Sequence, residues 1–261
     1  MAHTPLIRFE DDDGVRTLVL DRGDGQNAVG PDMQAALAPA LDAAAADPAV
    51  HVLILTGAGK MFSAGGDLGG LLTNLPTRDP VVERQGLSVA LEVVQRILTF
   101  PKPTIAMING AAAGGGLALA LACDMRIMSA KAKLAYAYAM IGLAGDFGIN
   151  WLLARLVGPA RARTVAFGGP LDAQEAWRLG IVDTVVAPED LEAATRERAR
   201  GLATLSGAAL AAIKRNIDAA DLSFAEAGER ESESFIALRS GGEHRLALET
   251  MLAQISARKG R

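Results

Sequence analysis

The chain has 261 residues, half of them hydrophobic but only 4% aromatic, and its formal net charge is −4. This length provides an ample core for one large domain or two smaller ones, and the abundance of alanine is typical of a helix-rich enzyme. The acidic balance and the lack of Lys/Arg runs argue against nucleic acid or an anionic membrane as a partner.

Individual residue types exclude further classes of site. The first residues lack a basic segment followed by an apolar one, so no secretory signal is expected and a cytoplasmic location is predicted. The single cysteine, Cys123, rules out an internal disulfide. None of the three histidines stands in a metal-binding spacing, so no metal site is expected. The chemistry should therefore depend on carboxylates and backbone groups.

The N-terminal part of the chain is predicted to form a hairpin, a helix and a buried strand. Residues 6–10 and 15–20 flank an Asp-rich turn, which is typical of a β-hairpin. An alanine-rich helix is predicted over 31–46, and the apolar run over 50–56 predicts a strand that is buried on both faces. A glycine-rich loop, 61–68, follows this strand directly.

The centre of the chain, 105–124, combines an apolar strand, a glycine turn and a helix. Gly114-Gly115-Gly116 precedes a run of good helix formers over 117–123. This order leaves backbone N–H groups without an intrahelical partner at the positive end of the helix dipole. Because glycine lets a ligand approach them closely, the sequence predicts a site for an anion or a developing anion.

The same stretch has other interpretations. Residues 104–123 carry no charge and are long enough to span a membrane, but Asn109, four glycines and Pro101-Lys102-Pro103 favour a buried strand and helix. The glycine pattern matches neither the dinucleotide-binding fingerprint nor the P-loop. A turn that serves packing alone is the remaining alternative.

A third glycine-rich loop, 142–148, lies between a predicted weak strand over 133–140 and a predicted helix over 149–156. From residue 189 onward the pattern is helical almost throughout. The sequence also predicts a mobile surface segment over 73–79, a helix over 81–100, strands over 125–128 and 181–186, and short helices over 161–167 and 173–179. Repeated units of strand, glycine loop and helix indicate an α/β fold of stacked layers.

Four segments resemble the crotonase family, the enoyl-CoA hydratases and isomerases. They are FSAGGDL (62–68), KPTIAMINGAAAGGGLALALACDMRI (102–127), IGLAGDFGINWLLARLVG (141–158) and GGPLDAQEAWRLGIVDTVV (168–186). The resemblance covers about residues 6 to 260 in one register. One departure is the absence of the family's usual proline before Asn27-Ala28.

The resemblance implies an architecture and a substrate class. The fold would be a crotonase-like spiral of ββα units over 1–195, followed by a C-terminal helical region over 196–261 that builds trimers or dimers of trimers. The substrate would be an acyl-CoA thioester. No metal or redox cofactor is implied, because coenzyme A arrives as part of the substrate.

By motif position, the resemblance implies that the N–H groups of Gly66 and Gly115 bind the thioester carbonyl. Ala64, Asp67 and Leu68 would lie along the edge that receives the CoA adenine. The chemistry agrees, since an enolate next to a thioester places charge on that oxygen. Losing one such donor typically costs about 3–4 kcal/mol of transition-state stabilisation.

The chain departs from the hydratases of this family at both positions that carry their glutamates. These positions hold Ala118 and Tyr138, and neither side chain is a carboxylate. Two-carboxylate hydration is therefore not expected. Tyr138 is assigned to the substrate pocket, with simple packing as the alternative.

The third loop supplies Asp146, at a position where family members that move double bonds or rearrange rings carry an aspartate. One carboxylate suffices for isomerisation, because it can take a proton at one carbon and return it at another. Asp146 could instead cap the following helix, or act as a nucleophile as in aryl-CoA dehalogenases.

The other candidate residues have weaker cases. Asp67 and Asp124 stand in motifs shared across the family, which favours structural roles. Glu83 or Glu92 could be a second acid or base. Trp151 and Trp177 are predicted to lie in the core.

The sequence thus predicts an acyl-CoA isomerase with Asp146 as the proton shuttle. The alternatives are a hydratase with atypical acid and base groups, a dehalogenase-like hydrolase, and a non-catalytic acyl-CoA-binding protein.

Overall fold

The computed structural model describes residues 5–74, 79–219 and 221–259. Its strands are β1 (Ile7–Asp12), β2 (Val15–Leu20), β3 (Val52–Gly57), β4 (Met61–Ser63), β5 (Thr104–Ile108), β6 (Ala111–Ala113), β7 (Met125–Ser129), β8 (Lys133–Ala135), β9 (Leu171–Asp172) and β10 (Thr184–Val186). Its helices are α1 (Pro31–Ala46), α2 (Leu68–Asn74), α3 (Pro80–Leu98), α4 (Gly115–Ala122), α5 (Ile149–Phe167), α6 (Ala173–Arg178), α7 (Leu191–Ala203), α8 (Gly207–Asp218), α9 (Phe224–Arg239) and α10 (Gly242–Lys259).

The larger sheet has six strands in the order β1-β2-β3-β5-β7-β10. The hairpin β1–β2 is antiparallel, and the pairs from β2 to β10 are parallel. All six residues of β3 are buried, as its continuous apolar run predicts for a central strand covered on both faces. This sheet and the helices against it hold most of the core.

The smaller sheet has four strands in the order β4-β6-β8-β9. Each of β3, β5 and β7 in the larger sheet is followed along the chain by one of β4, β6 and β8 and then by helix. This recurrence is the ββα spiral that the resemblance implied. Of the smaller sheet, only β8 was predicted from the residues, within the weak strand expected over 133–140, because its strands have only two or three residues.

The helices cover the sheets and continue as a C-terminal helical region. All eight residues of α4 are buried, whereas α9 has no buried residue. The predicted boundary at 195/196 falls inside α7, which packs on the larger sheet through Leu191, Ala199 and Leu202. The division into two regions stays a prediction, and α7 belongs with the spiral by its packing.

Three expectations about single elements need correction or lie outside the described residues. The strand predicted over 133–140 ends at Ala135, because Ala137 adopts a left-handed conformation (φ +64°) and a 3₁₀ turn, Tyr138–Ile141, follows. Tyr138 is therefore not a strand residue. Of the segment predicted to be mobile, residues 75–78 lie outside the described part of the chain.

The prediction that both tryptophans lie in the core is wrong for the single chain. Trp151 is 54% exposed and Trp177 is 55% exposed. The guanidinium of Arg155 lies 5.0 Å from the centre of the Trp151 ring and covers one of its faces.

Among the described residues, no helix is long and apolar enough to cross a membrane.

Candidate active site

The three glycine-rich loops meet at one edge of the smaller sheet. Strands β4, β6 and β8 are parallel neighbours, so their carboxyl ends lie on the same side. One loop follows each of them, and the three loops lead into α2, α4 and α5. This topology brings together residues that are about 80 positions apart in the sequence.

The first two loops are in direct contact. Gly65 has φ +89°, and a β-carbon built on it would lie 2.5 Å from the Ala113 carbonyl oxygen and 3.3 Å from the Gly115 nitrogen. A β-carbon on Gly116 would lie 2.5 Å from the Ser63 β-carbon. Glycine is therefore required at both positions for the loops to touch.

Hydrogen bonds fix the first loop from its other side. The Ser63 hydroxyl donates to the Asn27 carbonyl oxygen (2.8 Å) and accepts from the Gly65 N–H (3.1 Å). The Val29 N–H donates to the Gly65 carbonyl oxygen at 2.6 Å. Gly66, the next residue, is exposed, so its backbone is accessible to a ligand.

The two predicted donors lie on these adjoining segments. Gly115 is the first residue of α4, and Gly114 is its N-cap with no side-chain cap. Within the described residues, neither the Gly66 N–H nor the Gly115 N–H donates to a protein acceptor. Two free N–H groups, one at the positive end of a helix dipole, can stabilise an oxyanion.

Asp146 comes from the third loop and is half-buried. The Tyr138 hydroxyl donates a short hydrogen bond to its Oδ1 atom. The N-cap of α5 is Gly148, and no side chain among the described residues caps this helix. Asp146 therefore does not serve as the helix cap, which was one interpretation of its position.

Two rings connect Asp146 to the glycine loops. The Phe147 ring packs on Gly115, where an added β-carbon would lie 2.9 Å from the ring. The Tyr138 ring lies beside Gly114, 3.6 Å from the position of an added β-carbon. The structure thus places Gly114, Gly115 and Asp146 around one point.

The environment of Asp146 changes its acidity. Burial raises the pKa of its carboxyl group, and the Tyr138 hydrogen bond opposes that rise. Burial also raises the pKa of the Tyr138 hydroxyl, and the negative charge of Asp146 adds to this effect. The tyrosine therefore stays protonated as a donor, while the carboxyl group is a stronger base than an exposed aspartate.

The predicted adenine edge lies on the surface beside Gly66. Ala64 is half-buried, and Asp67 and Leu68 are exposed. The Asp67 carboxylate accepts from the Gly70 N–H at 3.1 Å and so supports the first turn of α2. This contact agrees with a structural role for the Asp67 side chain and leaves Ala64, Leu68 and the Asp67 backbone as candidates for ligand contact.

The remaining carboxylates differ in their surroundings. Asp124 accepts from the N–H and hydroxyl of Thr104 and pairs with Lys214, so it connects β5 to α8. Glu92 is exposed and lies 3.6 Å from Arg96. Glu83 is half-buried near the start of α3. In the described ranges, no group of three or more His, Cys, Asp and Glu side chains is arranged to hold a metal ion.

Sequence reasoning missed residues that fix the third loop. Tyr136 lies edge-to-face against Tyr138, with ring centres 5.2 Å apart. Its hydroxyl lies 2.8 Å from the Ala144 carbonyl oxygen and 2.6 Å from Asn150 Oδ1. The alternation of Tyr136 and Tyr138 was the available signal, but their partners are eight or more positions away.

Comparison with known proteins agrees with this geometry. A family model described as enoyl-CoA hydratase/isomerase matches residues 10–241. The 1,2-epoxyphenylacetyl-CoA isomerase of Escherichia coli (strain K12) is 38% identical over 214 residues, which cover 80% of this chain and 80% of that protein. A putative enoyl-CoA hydratase of Thermus thermophilus is 37% identical over 73% of this chain and 76% of that protein.

The fold is similar to solved structures across nearly its whole length. The crystal structure of an enoyl-CoA hydratase from Polaromonas sp. JS666 superposes with a TM-score of 0.90 and 31% sequence identity. The match covers 95% of this chain and 97% of that one. Relatives named as isomerases and relatives named as hydratases both occur, so the names alone do not select one reaction.

Proposed function

We propose that this chain, which belongs to the enoyl-CoA hydratase/isomerase family, is an acyl-CoA isomerase that moves a double bond or rearranges a ring beside a CoA thioester. The observation that carries the proposal is the half-buried Asp146, held beside the start of α4 by Tyr138. At the two positions where the hydratases of this family carry glutamates, the chain has Ala118 and Tyr138.

The first step of the proposed reaction makes an enolate. The thioester carbonyl accepts hydrogen bonds from the N–H groups of Gly66 and Gly115, which lowers the energy of the negative charge that develops on its oxygen. Asp146 removes a proton from the acyl chain and becomes a neutral carboxylic acid. Its raised pKa favours this step, because a base is most effective when its pKa lies near the working pH.

The second step returns the same proton at a different carbon. The enolate electrons re-form the thioester carbonyl, the double bond moves, and Asp146 is again ionised. The reaction involves no net oxidation or reduction, so it requires no redox cofactor. We propose that coenzyme A enters only as part of the substrate, with Ala64, Asp67 and Leu68 along the edge that receives its adenine.

A hydratase is the first alternative, and the residues at its two glutamate positions speak against it. Neither Ala118, which is buried inside α4, nor Tyr138 is a carboxylate. Water addition would require an acid and a base at different positions from those of the family's hydratases. Weak or absent hydration of crotonyl-CoA is the expected result.

The decisive experiment compares Asp146→Asn with the unchanged protein on a panel of enoyl-CoA isomers. The panel includes epoxide and oxepin forms of aromatic acyl-CoA, because the E. coli relative is named for such an epoxide. We expect kcat to fall about 10²- to 10⁴-fold, since general acid–base catalysis is typically of that size. KM should change little, because the carboxylate is not a main binding group.

Glu197→Gln is the matched control, since it makes the same change of carboxylate to amide on an exposed surface, at a residue with no proposed role. It should retain full activity. Full activity of Asp146→Asn would show that Asp146 is not the proton shuttle. Halide release from a halogenated aryl-CoA, with loss in Asp146→Asn, would support the nucleophile alternative. Tight CoA binding without turnover on any thioester would support a non-catalytic binding protein.

We also propose that the helical region over 196–261 assembles three chains, or two sets of three. It exposes large apolar side chains on separate helices, namely Ile213, Ile217, Phe224, Phe235, Ile236, Leu246 and Leu252. Such side chains are normally covered by a partner. Light scattering should give a mass of three or six chains, and a monomer would contradict this.

A cytoplasmic location stays a prediction, which fractionation of cells would check.

A further inference from the structure

We propose that Tyr138 is a positioning residue: its hydroxyl occupies Oδ1 of Asp146 and directs the other oxygen, Oδ2, at the substrate. The inference rests on the proposed role of Asp146 as the proton shuttle. It moves Tyr138 from the group of residues expected to contact the substrate to the group that prepares the base.

Packing determines where the Tyr138 hydroxyl points. The side chain is only 6% exposed, and one part of its ring lies beside Gly114. The Tyr136 ring meets it edge-to-face at an interplanar angle of 66°. A tyrosine ring held on two sides cannot redirect its hydroxyl without moving its neighbours. The hydrogen bond to Asp146 is therefore built into the fold.

Asp146 is held in a complementary way. In the described part of the chain, no side chain other than Tyr138 donates to its carboxylate. Oδ1 is occupied by the tyrosine, so Oδ2 is the oxygen left to exchange a proton. A shuttle that uses one oxygen for both transfers needs no rotation of the carboxyl group between them.

The backbone beside the pair is unusual in a way that points to this site. Four non-glycine residues among those described have a positive φ, and two of them adjoin the pair. Ala137 (φ +64°) directly precedes Tyr138, and Phe147 (φ +51°) directly follows Asp146. A left-handed conformation is unfavourable for these residue types and persists only where the surroundings impose it.

The surroundings do impose it at both positions. The Phe147 ring is 4% exposed and packs on Gly115, which fixes the residue after Asp146. Ala137 lies between Tyr136 and Tyr138, whose rings pack edge-to-face, and this contact fixes the residue before Tyr138. An unfavourable backbone that is held on both sides of one hydrogen bond favours a role in aligning the base over a role in packing alone.

The chemistry of the pair explains why a hydroxyl is useful there. Burial alone would raise the pKa of Asp146 and leave a larger part of it protonated and unable to accept a proton. A donor that binds the ionised form restores the base. Because the pKa of the tyrosine is itself raised, the hydroxyl does not lose its proton to solvent in the working range.

The test is Tyr138→Phe, which keeps the ring and its packing and removes only the donor. We expect kcat to fall about 10- to 100-fold, the range that a hydrogen bond to a charged group supports. KM should stay within about twofold, because the substrate-binding surface is unchanged. The acidic limb of the profile of kcat/KM against pH should move to higher pH, since loss of the donor raises the pKa of Asp146.

Tyr136→Phe is the matched control. It removes the neighbouring hydroxyl, which contacts Ala144 and Asn150 but not Asp146. This variant should have a lower Tm, with its acidic limb in the same place as in the unchanged protein. A shift of the limb in both variants would overturn the inference, because a general loosening of the loop would then explain the effect.

A second measurement keeps the inference separate from the proposed function. Titration of the Asp146 carboxyl carbon by NMR, in labelled protein without substrate, should show a higher pKa in Tyr138→Phe and the original pKa in Tyr136→Phe. An unchanged pKa in Tyr138→Phe would overturn the inference, even if Asp146→Asn abolishes activity and the proposed function holds. A raised pKa together with full activity of Asp146→Asn would support the pairing and reject the shuttle.

Discussion

The candidate site has two halves that are built in different ways. The glycine half consists of Gly65, Gly66 and Gly114–Gly116, and it offers backbone N–H groups. The carboxylate half consists of Tyr138, Asp146 and Phe147, and it offers side chains. In the proposed reaction, the first half stabilises charge on the thioester oxygen of the enolate, and the second half transfers the proton.

The two halves also relate differently to the stability of the fold. In the glycine half, hydrogen bonds and close contacts make the functional geometry also the packed geometry. In the carboxylate half, a charge is partly buried, and Phe147 and the adjoining Ala137 have a positive φ. A site can therefore keep its stable half unchanged while the less favourable half is altered to perform another reaction.

Among changes to the glycine half, the largest effect is expected for Gly65→Ala. The new β-carbon would lie 2.5 Å from the Ala113 carbonyl oxygen, at a φ of +89° that alanine rarely adopts. The loop must move away from α4, so activity should fall about 10²- to 10³-fold, as for loss of an oxyanion donor. Strain and overpacking should lower the free energy of unfolding by about 2–4 kcal/mol. Steady-state kinetics and urea unfolding measure the two effects.

Gly86→Ala is the matched control, since a β-carbon there would meet nothing within 4 Å inside α3. This exchange should raise the free energy of unfolding by about 0.5–1 kcal/mol and leave activity unchanged. Comparable activity in the two variants would show that contact between the loops is not needed for catalysis.

The next effect, in Gly115→Ala, shows how the halves are coupled. A β-carbon there would lie 2.9 Å from the ring of Phe147, which is buried and adjoins Asp146. The N–H group remains, but the displaced ring should move the carboxylate. A misplacement of about 1 Å can cost about 10²-fold, so we expect kcat to fall about 10- to 100-fold.

Gly66→Ala provides the comparison, because its β-carbon would have only the Leu71 Cδ1 atom nearby, at 3.8 Å. It should change kcat much less than Gly115→Ala and affect KM instead, since Gly66 is exposed and its N–H is a proposed contact of the substrate. If Gly115→Ala retained full kcat, the halves would be independent and Phe147 would have no role in positioning Asp146.

The glycine half could be predicted from the sequence because glycine is itself the signal. At Gly65 and Gly116 no side chain fits, and at Gly114 the φ is +48°. These are requirements of the backbone, and the residue type glycine indicates them directly. The arrangement of strands at one edge followed from the family resemblance, because β8 alone among the short strands of the smaller sheet was predicted from the residues.

The carboxylate half could be predicted only in part. Asp146 was identified by its position in a motif. Its contact with Tyr138 depends on the left-handed conformation of Ala137, which the residue type alanine does not predict. A strand reading of this region placed Tyr138 in the wrong element. The exposed Trp151 shows a second limit of sequence-based prediction. Hydrophobicity indicates that a side chain tends to be buried, but it does not indicate which surface would bury it.

The smallest expected effect concerns the carboxylate half, and it is a change in how stability depends on pH. Burial raises the pKa of Asp146 in the folded chain above the value of about 3.9 for an unfolded aspartate. The folded state therefore binds the proton more tightly, and the unchanged protein loses stability as pH rises from the unfolded value through the folded one. Above the folded pKa the whole penalty of the buried charge is present.

Asp146→Asn removes this penalty while its amide oxygen can still accept from Tyr138. Relative to the unchanged protein, its free energy of unfolding should therefore increase between pH 4 and pH 7. Urea unfolding at the two pH values measures the change, and Glu197→Gln, on the exposed surface, should show no such trend. A variant that became relatively less stable as the pH rose would mean that the carboxylate is stabilising when ionised. Both halves of the site would then stabilise the fold, and only the kinetics of Gly65→Ala and Asp146→Asn would still distinguish the two halves.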